Sequence, residues 1–145
     1  MRTTLTLLVL MASLLVGSAG TPKTFEQLDT IQWITLEVRD GMDVERVWNS
    51  VVDILINDFE LDLVAKDTGY LRTEWLYSYG GKYKNEYRVR VIIRVAPDGK
   101  TIRVKTEAQV KVGLNWLIGV DSRLVSTLKT DLMGTIGRNC HHRRG

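Results

Sequence analysis

The stretch YRVRVIIRVAPDGKTIRVKTEAQVKV, running from Tyr87 to Val112, decides the fold. In its first half Tyr87, Val89, Val91, Ile93 and Val95 alternate with Arg88, Arg90 and Arg94. In its second half Ile102, Val104, Thr106, Ala108, Val110 and Val112 alternate with Arg103, Lys105, Glu107, Gln109 and Lys111. A period of two sends successive side chains to opposite faces of a strand, so each half reads as a strand with one apolar and one charged face. Ala96-Pro97-Asp98-Gly99 separates them as a turn, because proline presets one dihedral and glycine accepts a positive φ. A loop from Pro97 to Lys100 pairs Ala96 with Thr101 and brings the two apolar faces together. It sets Ile93 against Val104 in the core. It also sets Arg90 against Glu107 on the open face, as an ion pair worth about 0.2–1 kcal/mol.

Upstream, Phe59, Leu61 and Leu63 alternate with Glu60 and Asp62, and Leu71, Thr73, Trp75 and Tyr77 alternate with Arg72, Glu74 and Ser78. If Asp67-Thr68-Gly69 is a hairpin loop, Leu61 lies opposite Trp75 and both face inward. Tyr79-Gly80-Gly81-Lys82 breaks this strand from the next. Ile31 to Val38 is expected as a first strand, with Ile34, Leu36 and Val38 on one face.

Two helices complete the pattern. Asp43 is placed to cap the first, with Met42 and Val47 as a hydrophobic staple and an end near Asn57. Val44, Val47, Trp48, Val51, Val52 and Leu55 fall at helical spacing on one side. Asp121 is placed to cap the second, whose stripe is Leu124, Val125, Leu128, Leu132 and Ile136, with Gly137 as its stop. Gly113 to Val120, containing Leu114, Trp116, Leu117 and Ile118, is expected as an apolar connection. The order β-α-β-β-β-β-α predicts an α+β two-layer sandwich. Its antiparallel sheet of about five strands carries both helices on one face and presents charge on the other.

Residues 1–20 differ from the rest. One arginine, the apolar run Leu5 to Val16 and the small residues Gly17-Ser18-Ala19-Gly20 match a cleaved secretory signal peptide. Residues 21–30 are expected as a linker, 31–137 as one α+β domain and 138–145 as a basic tail. Cleavage removes only Arg2 among the charges, leaving 19 basic side chains against 17 acidic. The remainder has no stretch long enough for a transmembrane span. No cysteine follows the small residues, so N-terminal lipid anchoring is not expected.

Composition narrows the chemistry. The chain holds one cysteine and two histidines in 145 residues, and Cys140, His141 and His142 all lie in the tail. Zinc sites, internal disulfides and imidazole-based nucleophilic catalysis therefore lack their groups in the domain. Asp58, Glu60 and Asp62 share one side of a strand and suit a solvated face better than a hydrolytic pair in a cleft. The reading is a protein that is not an enzyme and uses no metal or other cofactor.

Arg88, Arg90, Arg94, Arg103 and Lys105 fall on the predicted open sheet face, and Trp116 lies in the apolar connection. These six are the candidate partner-binding residues. Trp48 and Trp75 fit the core pattern, so the open face is expected to lack the aromatic rings that stack nucleic-acid bases. The partners expected are envelope proteins, with anionic lipid or lipopolysaccharide as a further contact and no nucleic acid.

From Val47-Trp48 through Phe59-Glu60-Leu61-Asp62-Leu63 and Asp67-Thr68-Gly69 to Leu71-Arg72-Thr73-Glu74-Trp75, the chain resembles the repeated domain of the BamC (NlpB) lipoproteins. The resemblance implies a sheet covered by two helices and an accessory role in outer-membrane β-barrel assembly; it transfers no catalytic residue. The expected function is a non-enzymatic protein-binding module in the periplasm or at the outer-membrane periphery. The alternative is a small-ligand or lipid-binding module with an apolar pocket between helices and sheet.

Overall fold

Asp43 and Asp121 start the two helices. The Asp43 carboxylate accepts from the backbone N–H of Arg46 at 2.8 Å and opens α1, Val44–Ile56. Asp121 accepts from the N–H of Leu124 at 2.9 Å and opens α2, Ser122–Thr135. Each carboxylate meets an amide donor that the first helical turn leaves without a partner, as expected from their positions. Buried Val47, Trp48, Val51 and Leu55 of α1, with Leu124, Leu128 and Leu132 of α2, supply the helical side of one core.

In this computed structural model, which describes residues 21–81 and 84–138, the sheet has eight strands. They are β1 (Phe25–Gln27), β2 (Ile34–Glu37), β3 (Leu61–Ala65), β4 (Tyr70–Thr73), β5 (Leu76–Tyr77), β6 (Tyr87–Val95), β7 (Thr101–Val112) and β8 (Asn115–Asp121). The spatial order is β1-β8-β7-β6-β4-β3, with β2 beside β7 and β5 beside β6. Every pairing is antiparallel. Residues 1–20, expected as a signal peptide, and residues 139–145, with Cys140, His141 and His142, lie outside the described residues. No helix among those described is long and apolar enough to cross a membrane.

The central hairpin has the expected register, with Ile93 opposite Val104 and Arg90 opposite Glu107. Tyr87, Val89, Val91, Ile93 and Val95 are buried from one strand, and Ile102, Val104, Ala108 and Val110 from the other. Both sets face the helices, so the opposite face of β6 and β7 carries no helix.

The sheet is larger than the expected five strands, and three changes account for the difference: β1, β8 and the division of one expected strand into β4 and β5. Phe25–Gln27, expected within a linker, pairs with β8, and Gly119 permits the approach: a Cβ there would stand 2.0 Å from the Glu26 carbonyl oxygen. Gly113 to Val120, expected as a connection, instead turns at Gly113-Leu114 and returns as β8. A glycine at φ +61 in the first turn position suits the twist of a two-residue hairpin.

The expected register of Leu61 opposite Trp75 does not form either. Ala65 pairs with Tyr70 around a four-residue turn, and a bulge between Leu61 and Leu63 leaves Leu61 opposite Thr73. Leu63, expected inward, stands opposite Arg72 and is 44% exposed. The long strand expected from Leu71 to Ser78 divides into β4 and β5, and this break decides what the open face displays.

Candidate functional site

At the break after Thr73 the side chain takes over from the backbone. Thr73 Oγ1 accepts from the N–H of Val91 at 3.0 Å, donates to the carbonyl of Glu74 at 3.0 Å, and is fully buried. The N–H of Glu74 meanwhile donates to the carbonyl of Glu60 at 2.8 Å. With that spur of irregular backbone inserted, Thr73 and Leu76 both point to the core side, and Trp75 turns the other way. Trp75 thus leaves the core, contrary to expectation, and lies among the arginines of β6.

The rings and cations on this face form two groups. In the first, the Arg88 guanidinium carbon lies 4.2 Å from the ring centroid of Trp116 and 4.4 Å from that of Trp75. Arg90 also lies 4.4 Å from Trp75. Trp116, Arg88, Trp75 and Arg90 therefore build an array of rings and cations across β8, β6 and the β4–β5 break. Arg88 is fixed along its edges as well: Nε and Nη2 donate to Gln109 Oε1 at 2.8 and 2.6 Å, and Nη1 donates to the Tyr77 hydroxyl at 2.9 Å. Arg90 Nε donates to Glu107 Oε2 at 2.5 Å, and Lys105 lies 3.3 Å from the other oxygen of that carboxylate. Cation–π contacts contribute about 0.5–1 kcal/mol each where water reaches them.

In the second group, Trp33 lies beside three cations, Arg103 at 5.0 Å, Arg94 at 5.7 Å and Lys105 at 5.9 Å. Arg94 is also 5.4 Å from the ring of Tyr70. Arg94 and Arg103 are direct cross-strand partners and both are exposed. Ile92 points to this face yet is buried; its cross-strand neighbours are Arg72 and Lys105, and long basic side chains commonly cover apolar surface with their stems.

All six candidate residues, Trp116, Arg88, Arg90, Arg94, Arg103 and Lys105, are thus on one face of the sheet. The expectation that this face lacks aromatic rings is overturned: Trp33, Trp75, Trp116, Tyr70 and Tyr77 all contact its cations. Trp33 was readable in the sequence, because alternation that turns Ile34, Leu36 and Val38 inward turns residue 33 outward. Trp75 was not, since only the break after Thr73 reverses its side.

The other candidate chemistry is dispersed. Asp62 is held by Arg72 at 2.5 Å, an interaction that raises the guanidinium pKa, whereas Asp58 and Glu60 line an open cleft with Glu74. Among the described residues no three His, Cys, Asp or Glu side chains come together as a metal site would require. Between α2 and the sheet, beside Leu36, Val104 and Leu128, the free volume is about 10 Å³. A ligand pocket normally needs about 300 Å³ or more. A cleft of about 340 Å³ lies at the rim, where the lining residues Glu45 and Lys66 are paired with each other.

No protein-family model matches the chain, and no curated protein matches it.

Proposed function

We propose that the protein is an exported cell-envelope module that is not an enzyme and works by binding another protein through the open face of its sheet. The observation that carries this reading is the concentration of Trp33, Trp75 and Trp116 with Arg88, Arg90, Arg94, Arg103 and Lys105 on a sheet face that neither helix covers. Tryptophan and arginine dominate the energetics of protein interfaces, where large rings bury area at small entropic cost. Half-buried rings held by guanidinium groups are already ordered, so a partner would meet a surface with little freedom left to lose. The small free volume between α2 and the sheet weighs against a ligand pocket there.

The resemblance to BamC-type accessory domains suggests that the partner belongs to outer-membrane protein assembly, and the leader-like N-terminus suggests the compartment. Crosslinking in intact cells followed by affinity capture tests the reading. Wild-type protein should capture a defined envelope protein, and Trp116→Ala should reduce that capture at least fivefold while the fold is retained. Equal capture by wild type, Trp116→Ala and Arg88→Ala would overturn it.

A further inference from the structure

Arg94 and Arg103 stand directly opposite each other on β6 and β7. Like charges in that position repel, and a sheet normally places opposite charges or a neutral residue there. The row containing them runs from Tyr70 through Arg94 and Arg103 to Thr35 and holds no carboxylate, and Glu37, one row further along β2, pairs with Arg138. The next row places Arg72, Ile92 and Lys105 beside them. Asp62 belongs to Arg72, and Glu107 is shared by Arg90 and Lys105. Among the described residues, no carboxylate lies within ion-pair distance of Arg94 or Arg103, and neither guanidinium makes a side-chain hydrogen bond. What holds them is the flank of Trp33, with Tyr70 on the far side of Arg94.

We infer that Arg94 and Arg103, oriented by Trp33 and supported by Lys105, form a carboxylate-binding site, and that the partner reading this sheet face presents an acidic peptide segment to it. The inference rests on the reading of the open face as a partner surface and names the chemistry of one part of it. Guanidinium groups beside aromatic rings keep their N–H edges free, and two such edges on neighbouring strands can receive one carboxylate or two from successive acidic residues. An incoming carboxylate also removes the repulsion between the two cations, so binding and local stability reinforce each other.

Two other anionic occupants fit less well. Nucleic acid needs ring faces for its bases, whereas Trp33 has three cations beside it and Trp75 has two. A continuous anionic lipid surface would approach Asp62 and Glu107 along with the arginines, since both lie on this face through their ion pairs. A peptide can set its acidic side chains between them.

The test uses the described fold in its full chain and an eight-residue polyglutamate peptide carrying a fluorophore, read by anisotropy. Wild type should bind it saturably, with affinity falling as salt rises, and a polyglutamine peptide of equal length should not bind. Arg94→Gln combined with Arg103→Gln should weaken binding at least tenfold while the chain keeps its fold, as checked by circular dichroism. Lys129→Gln, an exposed cation on α2 outside the sheet face, should leave peptide binding within twofold. Three results overturn the inference: unchanged binding by the double variant, equal binding of polyglutamine, or binding to phosphatidylglycerol vesicles without binding to the peptide. If the double variant still captures the envelope partner and Trp116→Ala does not, the acidic-segment inference fails and the partner surface stands. If both variants capture it normally, the partner surface fails as well.

Discussion

The Tyr87 hydroxyl donates to Asp121 Oδ2 at 2.5 Å inside the core, linking the first residue of β6 to the last residue of β8. Asp121 is 1% exposed, and its carboxylate is fully used. The Thr24 hydroxyl donates to the same oxygen at 2.7 Å, while Oδ1 accepts the N–H of Leu124. One side chain therefore joins the approach to the edge strand β1, the end of β8, the central strand β6 and the start of α2.

Asp121→Ala should accordingly be among the most destabilising single changes in the chain. It removes a helix cap worth about 1 kcal/mol and strands buried donors at about 1–3 kcal/mol. The expected total is about 3 kcal/mol, measured as a lower urea midpoint with an unchanged slope. Asp43→Ala removes only an exposed cap and should cost about 1 kcal/mol in the same measurement.

Alkaline stability should depend on Tyr87. Burial first, and the hydrogen bond to Asp121 second, push its pKa far above the ordinary 10.0. The folded protein thus keeps a proton that the unfolded chain gives up. The stabilising contribution is complete below about pH 10 and declines above it by about 1.4 kcal/mol per pH unit. Tyr87→Phe should lower stability at neutral pH and make the fall above pH 10 shallower by one proton, as followed by urea unfolding between pH 8 and 11.

Gly119→Ala should release β1. The added methyl would meet the Glu26 carbonyl oxygen at 2.0 Å and the Phe25 ring at 2.9 Å, and the backbone carbonyl cannot move away without loosening β1 from β8. Hydrogen exchange should accelerate at the amides of residues 25 to 28 while those of α1 stay protected. Uniform acceleration would show that β1 and the core open together.

Arg88→Lys should be costly despite conserving charge. A lysine has no plane to lie along Trp75 and Trp116 and cannot reach Gln109 and Tyr77 together. About 1 kcal/mol of stability should be lost, with a shift in tryptophan emission as the two rings gain access to water.

The central hairpin and both helix caps were readable because each is a local rule. Alternation set the inward faces of β6 and β7, loop length set Ile93 against Val104, and aspartates preceded both apolar stripes. What escaped the sequence depends on contacts between distant segments. Phe25–Gln27 has too few residues to show a period and becomes a strand only because Gly119 lets it close in. The bulge after Leu61 and the break after Thr73 each shift the side-chain parity by one. Nothing in the alternating pattern distinguishes Thr73, whose hydroxyl stabilises that break, from an ordinary strand threonine. The six chosen surface residues were found together on one face, but their organising rings were not, because Trp75 reaches that face only through the break.

The two ends of the described chain are fastened to each other. Phe25 pairs with Asp121, Val38 bridges Gly137, and the N–H of Arg138 donates to the carbonyl of Glu37 at 3.0 Å. A chain growing from its N-terminus therefore makes β1 and the edge of β2 long before their partners exist. Until α2 has emerged, Asp121 has no helix to cap and the buried face of the sheet has only half its cover. Folding of the nascent chain in this way waits until α2 has been made, and truncations that remove α2 should leave a polypeptide that proteases digest throughout rather than a shortened native domain.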